Sequence, residues 1–306
     1  MIGILGMAGG WLPTDITTAF QRLGLHAPMI TDVSVDGTGN YPGDDADAEI
    51  ALDIQVAAAS YTIATGHAAT IRVYWSQEMG TALTRAAHEG CAVFSMSWGN
   101  PEEMWGSYAA HQMEIDAFSA VHSHGMLSIA ASGDNNADDG RRSPSVDCPA
   151  CCPHVLGCGG TTKHRNGHET AWNNNPGHSN GEGTGGGYSQ YFPHQTWQIG
   201  APRAPIGLGR MVPDVAANAD PNTGLEIVKN GETIWVGGTS VVAPLYAGLI
   251  AAVYGPKPGW ISPELYKSPG WFVDITSGEN GTYAARAGPD PVTGLGVPIG
   301  HKLKAG

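Results

Sequence analysis

Four short apolar runs, most of them separated by helical patterns that close on glycine, leave this chain few ways to fold. The runs are IGILGM from Ile2, ATIRVYW from Ala69, CAVFSMS from Cys91 and MLSIAAS from Met126. Each is too short for a helix that could bury itself, and each reads as a strand covered on both faces. Between them lie LPTDITTAFQRLG, with Pro near its start, then TALTRAAHEG and EIDAFSAVHSHG, each stopping at a glycine. Strand, helix, strand at this rhythm needs a crossover connection, so the expected fold class is α/β: a mostly parallel sheet flanked by helices on both faces. The NNNPGHSNGEGTGGG stretch from Asn173 has no core-forming residues and reads as one long surface loop, because strand and helix signals resume after it. One large domain over residues 1–306 is the expectation.

Composition removes whole classes of function. The formal net charge is −13, opposite to what a nucleic-acid-binding face requires. No apolar run is long enough to span a bilayer. Met1 leads straight into the first strand, so no cleavable leader is expected. Four of the five cysteines, Cys148, Cys151, Cys152 and Cys158, crowd into DCPACCPHVLGC. That spacing fits no common zinc pattern, and no second C-x-x-C follows. An odd count leaves one thiol over if disulfides form, and plain buried thiols are the expectation.

The chemistry-bearing candidates begin in DDADAEIALDIQVAAAS. Asp44, Asp45 and Asp47 suit the positive end of a helix. Glu49 and Asp53 then fall one turn apart on one face, where two ionised carboxylates repel. The surrounding Ile50, Leu52, Ile54 and Val56 predict a helix buried almost all round, and buried acids need a partner or a purpose. In a parallel α/β sheet the site lies beyond the carboxyl ends of the strands. SMSWGNPEE and AASGDNN finish there, and VGGTSVVAPLYAGLIAAV brings Ser240 to the start of an apolar helix. Such a serine is either an N-cap or a nucleophile steadied by backbone N–H groups.

GGTSVVAP resembles the G-T-S-x-x-x-P nucleophile signature of subtilases and sedolisins. Subtilases also need an Asp after the first strand, where this chain has GMAGGW, and a helical His that none of the 12 histidines supplies. EIALDIQ instead resembles the E-x-x-x-D helix of the sedolisins, the serine-carboxyl peptidases. VFSMSWGNPEE, AASGDNN, PHVLGCGGT, GGGYSQYF, VPDVAANADPNTG and FVDITSG…TGLGVPIG resemble further blocks of that family in the same order. The resemblance runs from the first strand to the C-terminus and implies a subtilisin-like fold and an acid endopeptidase. It maps Ser240 as nucleophile, Glu49 as general base, Asp53 as its supporting acid and Asp134 as the acid at the oxyanion site.

The same resemblance implies one structural Ca²⁺, held in the loop 274–290 by the Asp274 and Asp290 carboxylates and the carbonyls of Ile275, Arg286 and Gly288. Oxygen donors on a glycine-containing loop suit that ion. Pro289 stands where the family has an aromatic residue, and Cys148, Cys151 and Cys152 where it commonly has Phe and two Ser. Trp98 aligns with a Trp near the family's active site, or is simply a packed aromatic at a strand end. The family implies a protein or peptide substrate and an extracellular location, after removal of an N-terminal pro-domain that this chain does not contain; a chain made without a leader implies the cytoplasm instead. A monomer is expected. The alternative function is a catalytically silent, calcium-dependent peptide-binding domain of the same fold.

Overall fold

The computed structural model describes residues 1–178, 181–204 and 209–303; Ser179 and Asn180 of the expected surface loop lie outside them. The four apolar runs form strands β1 (Ile2–Gly6), β3 (Thr70–Trp75), β4 (Val93–Met96) and β5 (Leu127–Ala131), joined in the sheet by β2 (Met29–Ser34), β6 (Val155–Lys163) and β7 (Val215–Asn218). All seven pair in parallel in the order β7-β6-β5-β4-β1-β3-β2, with Glu169–Ala171 antiparallel on β6. The interior strands β1, β4 and β5 are buried at every position, as near-continuous apolar runs require, while β2 is a largely exposed edge.

Helices cover both faces, as the alternation predicts. Helices α1 (Pro13–Leu23), α2 (Asp47–Thr65) and α5 (Thr239–Tyr254) pack on the face that carries Ile2, Ile4 and Ile71. Helices α3 (Met79–His88) and α4 (Glu102–Ser119) pack on the face of Leu5, Tyr74 and Phe94. Alternate residues of β1 thus feed different cores. Helix α1 ends at Gly24 in the left-handed region, the C-terminal signal read in the sequence. Helix α4 begins well before the expected Glu114. Its first turn carries Glu102 and Glu103, and Gly106, at φ 75°, breaks the helix in a way that disguises this start. Its last turn widens into a π-helical turn, Ala120–His124, before Gly125.

Helix α2 is buried almost all round. Ile50, Leu52, Ile54 and Val56 are each at most 7% exposed, and burying such a side chain contributes about 1.5–3 kcal/mol. It lies against α5 at unusually close range. A methyl on Gly248 would stand 2.2 Å from the Ala57 carbonyl oxygen and 2.8 Å from Ser60 Cβ. The Ser60 hydroxyl donates to the Leu245 carbonyl at 2.8 Å across the same contact. Any side chain at 248 would therefore pry the two helices apart.

The cysteine expectation needs correcting at two positions. Cys148 and Cys151 form a disulfide, with Cα atoms 4.8 Å apart. They sit on one tight turn in which the Cys151 N–H donates to the Asp147 carbonyl at 2.7 Å, so the local chain itself brings them within bridging range. Cys91, Cys152 and Cys158 are buried thiols, as expected. Cys152 lies close to the bridged pair, but the bond removes two of the three sulfurs that a thiolate metal site there would use.

Candidate active site

The strand ends and helix starts named above converge at the carboxyl edge of the sheet. Glu49 sits in the first turn of α2 and Asp53 one turn on. Ser240 is the second residue of α5. Ser97 follows β4, and Asp134 lies just beyond β5. Together Ser97, Asp134, Thr239 and Ser240 line a cleft of about 320 Å³. Helix α5 has Gly238 as its N-cap residue and receives no side-chain cap, so Ser240 is not an N-cap.

Asp134 is locked onto the start of α5. Its Oδ1 accepts from the Thr239 N–H and the Thr239 hydroxyl, both at 2.7 Å. Gly238 has φ +90°, and a Cβ there would lie 2.5 Å from Asp134 Oδ2. Glycine is thus required twice over, by backbone conformation and by the approach of the carboxyl group. Burial raises the Asp134 pKa, the Thr239 hydrogen bonds oppose the rise, and nearby Asp139 and Glu182 add to it. A carboxyl group in this position is biased toward the protonated form that can donate a hydrogen bond.

The acids on α2 are starved of donors. Asp53 is fully buried and accepts one bond, from the Ser97 hydroxyl at 2.6 Å; its Oδ2 has no partner. Glu49 Oε1 is likewise buried without a partner. Burial, with some repulsion from Asp134, pushes the Glu49 pKa up to about 7, against the pull of the Ser240 and Ser97 hydroxyls. Burial and then the Glu49 charge raise the Asp53 pKa well above the usual carboxylate range. In this geometry the Ser240 hydroxyl is within hydrogen-bonding reach of both the Ser97 carbonyl, at 3.4 Å, and the Glu49 carboxyl group.

The rest of the cleft is acidic. Asp139 and Asp147 line it, and burial followed by the Asp139 carboxyl group raises the Asp147 pKa well above its ordinary value. Arg141, the one cation on the cleft wall among the described residues, is engaged by Glu103. Among the described residues no histidine lines it, which counts against a Ser-His-Asp arrangement at Ser240. Trp98 is half-buried against the core formed with α3 and α4, and its chain neighbours Ser97 and Gly99 line the cleft.

The loop expected to hold calcium folds back on itself. Asp274 accepts from the Gly288 N–H at 2.8 Å, and Asp290 from the Arg286 N–H at 2.8 Å. Asp290 is fully buried, and among the described residues no Lys or Arg side chain pairs with it. Its other oxygen accepts from the Val292 and Thr293 N–H groups. Among the described residues nothing donates to the carbonyls of Ile275, Arg286 or Gly288. Two carboxylates and three uncommitted carbonyls, gathered on one loop, are the hard oxygen set that suits Ca²⁺.

Four participants escaped the sequence reading: Ser97, Thr239, Asp139 and Asp147. Thr239 stands inside the nucleophile motif, and its neighbour drew the attention. Ser97 is one of several strand-end serines, and no spacing sets it apart. Asp139 and Asp147 lie in loops without a periodic pattern.

Comparison with known proteins bears on the family and the fold. The model of the subtilase family matches residues 56–268. Kumamolisin of Bacillus sp. (strain MN-32) is 41% identical over 333 aligned positions, covering 99% of this chain and 59% of kumamolisin. Tripeptidyl-peptidase 1 of Bos taurus is 29% identical, covering 67% of this chain and 41% of that protein. The chain therefore spans about half the length of these curated relatives. Among solved structures, Pseudomonas sedolisin, a serine-carboxyl proteinase complexed with pseudo-iodotyrostatin, superimposes with a TM-score of 0.86 at 25% identity, covering 99% of this chain and 90% of that one.

Proposed function

Because the chain belongs to the subtilase family, on its kumamolisin-like sedolisin branch, we propose that it is a serine-carboxyl endopeptidase working at acidic pH. The observation that carries this reading is the convergence of Ser240 with three buried acids and, among the described residues, no imidazole. Ser240 Oγ attacks the peptide carbonyl and its proton passes to Glu49, which later returns it to the leaving amine. Asp53 shares a proton with Glu49, and the partnerless Oδ2 and Oε1 are the oxygens that such a proton satisfies. Protonated Asp134 donates to the oxyanion as it forms. Water then cleaves the acyl-enzyme, with Glu49 again accepting the proton. The substrate is a protein or peptide, met outside the cell, by a monomeric enzyme. The silent peptide-binding alternative is disfavoured because Glu49 lies within hydrogen-bonding reach of Ser240 and Asp134 lines the same cleft.

One structural Ca²⁺ belongs to the same proposal, held by Asp274, Asp290 and the carbonyls of Ile275, Arg286 and Gly288. When bound it supplies positive charge to a fully buried Asp290 and ties together the ends of the loop.

The test is kcat/KM from pH 2 to 9 on an internally quenched peptide with a blocked N-terminus, which an enzyme releasing N-terminal tripeptides does not cut. The expected profile is a bell with its maximum below neutrality. The acid limb reports the Glu49–Asp53 pair and the upper limb the loss of the Asp134 proton. Asp134→Asn keeps a donor that does not titrate, so its upper limb flattens even as the maximum rate falls. A wild-type maximum near pH 8 overturns the carboxylate mechanism.

A further inference from the structure

Ser97 reaches both the acids on α2 and the nucleophile on α5. Its hydroxyl donates to Asp53 Oδ1 at 2.6 Å, a residue 44 positions away on α2. The same hydroxyl lies 3.3 Å from the Ser240 carbonyl, 143 positions away on α5. Its own carbonyl accepts the Ser240 hydroxyl at 3.4 Å. The Ser240 carbonyl has a particular need of this neighbour. Residue 244 is a proline inside the helix, so the N–H that would close the helical bond to Ser240 does not exist. The S-x-x-x-P spacing thus opens a carbonyl at the nucleophile, and Ser97 is the side chain that reaches it.

We propose that Ser97 is a positioning residue that couples the proton-accepting pair on α2 to the nucleophile on α5. The inference rests on the catalytic assignment above. Among the described residues the hydroxyl is the one donor to Asp53, so it favours the ionised form of the pair. It does so in surroundings that oppose ionisation. Glu49 and Asp53 face it from α2, and Asp134 lies across the cleft beyond β5. Asp139 and Asp147 stand further along the wall, and α5 presents only the neutral Thr239 and Ser240. Arg141 is already committed to Glu103. Among the described residues no cation shares the task, so neutral hydroxyls, that of Ser97 on Asp53 and those of Ser97 and Ser240 on Glu49, set how low in pH the pair can still accept a proton.

The experiment measures kcat/KM against pH for Ser97→Ala, Ser97→Thr and Ser97→Cys. Removing the donor raises the pKa of the pair, so the acid limb of Ser97→Ala moves upward by about one pH unit. Ser97→Thr keeps the hydroxyl and returns the limb to the wild-type position. Ser97→Cys, a weaker donor of similar shape, moves it part of the way and serves if Ser97→Ala does not fold. A uniform loss of rate with an unmoved limb is what a merely structural role produces, and it overturns the coupling. Glu49→Gln is run alongside. If it is inactive while the Ser97 variants keep the wild-type limb, only the coupling falls. If it is fully active, the catalytic assignment falls and the coupling with it.

Discussion

Two fully buried aspartates in this protein live in opposite surroundings. Asp214, at the start of β7, has every oxygen answered. Arg210 and the Gly157 N–H donate to Oδ2 at 2.7 and 2.8 Å, and Gln198 and the Tyr266 hydroxyl donate to Oδ1, both at 3.1 Å. Asp53 has one hydroxyl and an acidic neighbour. Both sit in equally dry interiors, so burial alone does not decide what a carboxyl group does. The donors decide. An acid given a guanidinium and three further donors fixes the strands around it, whereas an acid denied them stays able to trade a proton.

The largest effect that separates the two sites is on activity. Glu49→Gln removes the proton acceptor from the starved site, and Ser240→Ala removes the nucleophile. Each is expected to lower kcat by about 10⁴-fold or more, with a melting temperature near that of the wild type. Near-wild-type hydrolysis by either variant makes the assigned roles wrong. Asp214→Ala is expected to do the reverse. It strands Arg210, itself 0% exposed, and costs about 3–5 kcal/mol of stability. A melting temperature within a degree of wild type would show that the Arg210–Asp214 pair holds nothing together.

The comparison sharpens with pH. A carboxyl group whose folded pKa lies above its unfolded value binds more protons folded than unfolded. Its stabilisation is complete below the unfolded pKa and is lost as pH rises through the folded one. Glu49 goes from an ordinary 4.5 to about 7, so the wild type is expected to lose on the order of 3 kcal/mol between about pH 4 and pH 7. The decline is expected to be smaller in Glu49→Gln. Parallel decline in denaturant titrations of the two proteins would remove Glu49 as its source.

The smallest expected effect concerns Asp290, which has backbone donors but, among the described residues, no cationic side chain beside it. A ligand that binds only the folded state stabilises by roughly 2.7 kcal/mol at a hundred times its Kd. Excess chelator is expected to lower the melting temperature of a calcium-loaded sample, and Asp274→Ala to abolish that response. An unchanged curve, once the starting sample is confirmed to hold metal, sinks the calcium site.

Much of this was written locally. The helix carrying Glu49 and Asp53 was legible because its acids fall one turn apart within an unbroken apolar context, and its observed burial follows from that pattern. The strands were legible because each is a compact apolar run between glycine stops. The early start of α4 was hidden by Gly106, whose left-handed backbone interrupts the helical pattern. The Cys148–Cys151 bridge was hidden because cysteine spacing permits pairing without showing how the turn closes.

By itself the sequence determined the alternation of strand and helix, the one-turn spacing of Glu49 and Asp53, and the serine set four residues ahead of Pro244. These depend only on backbone period and on a missing N–H, which neighbours in the chain settle. The tertiary structure alone decided that Ser97 would serve both Asp53 and the Ser240 carbonyl, that Asp214 would be surrounded by donors, and that Asp53 would not. Proton affinity and hydrogen bonding are set by what lies within a few ångströms in space, and at Asp53 the decisive neighbour comes from a strand end 44 residues along the chain.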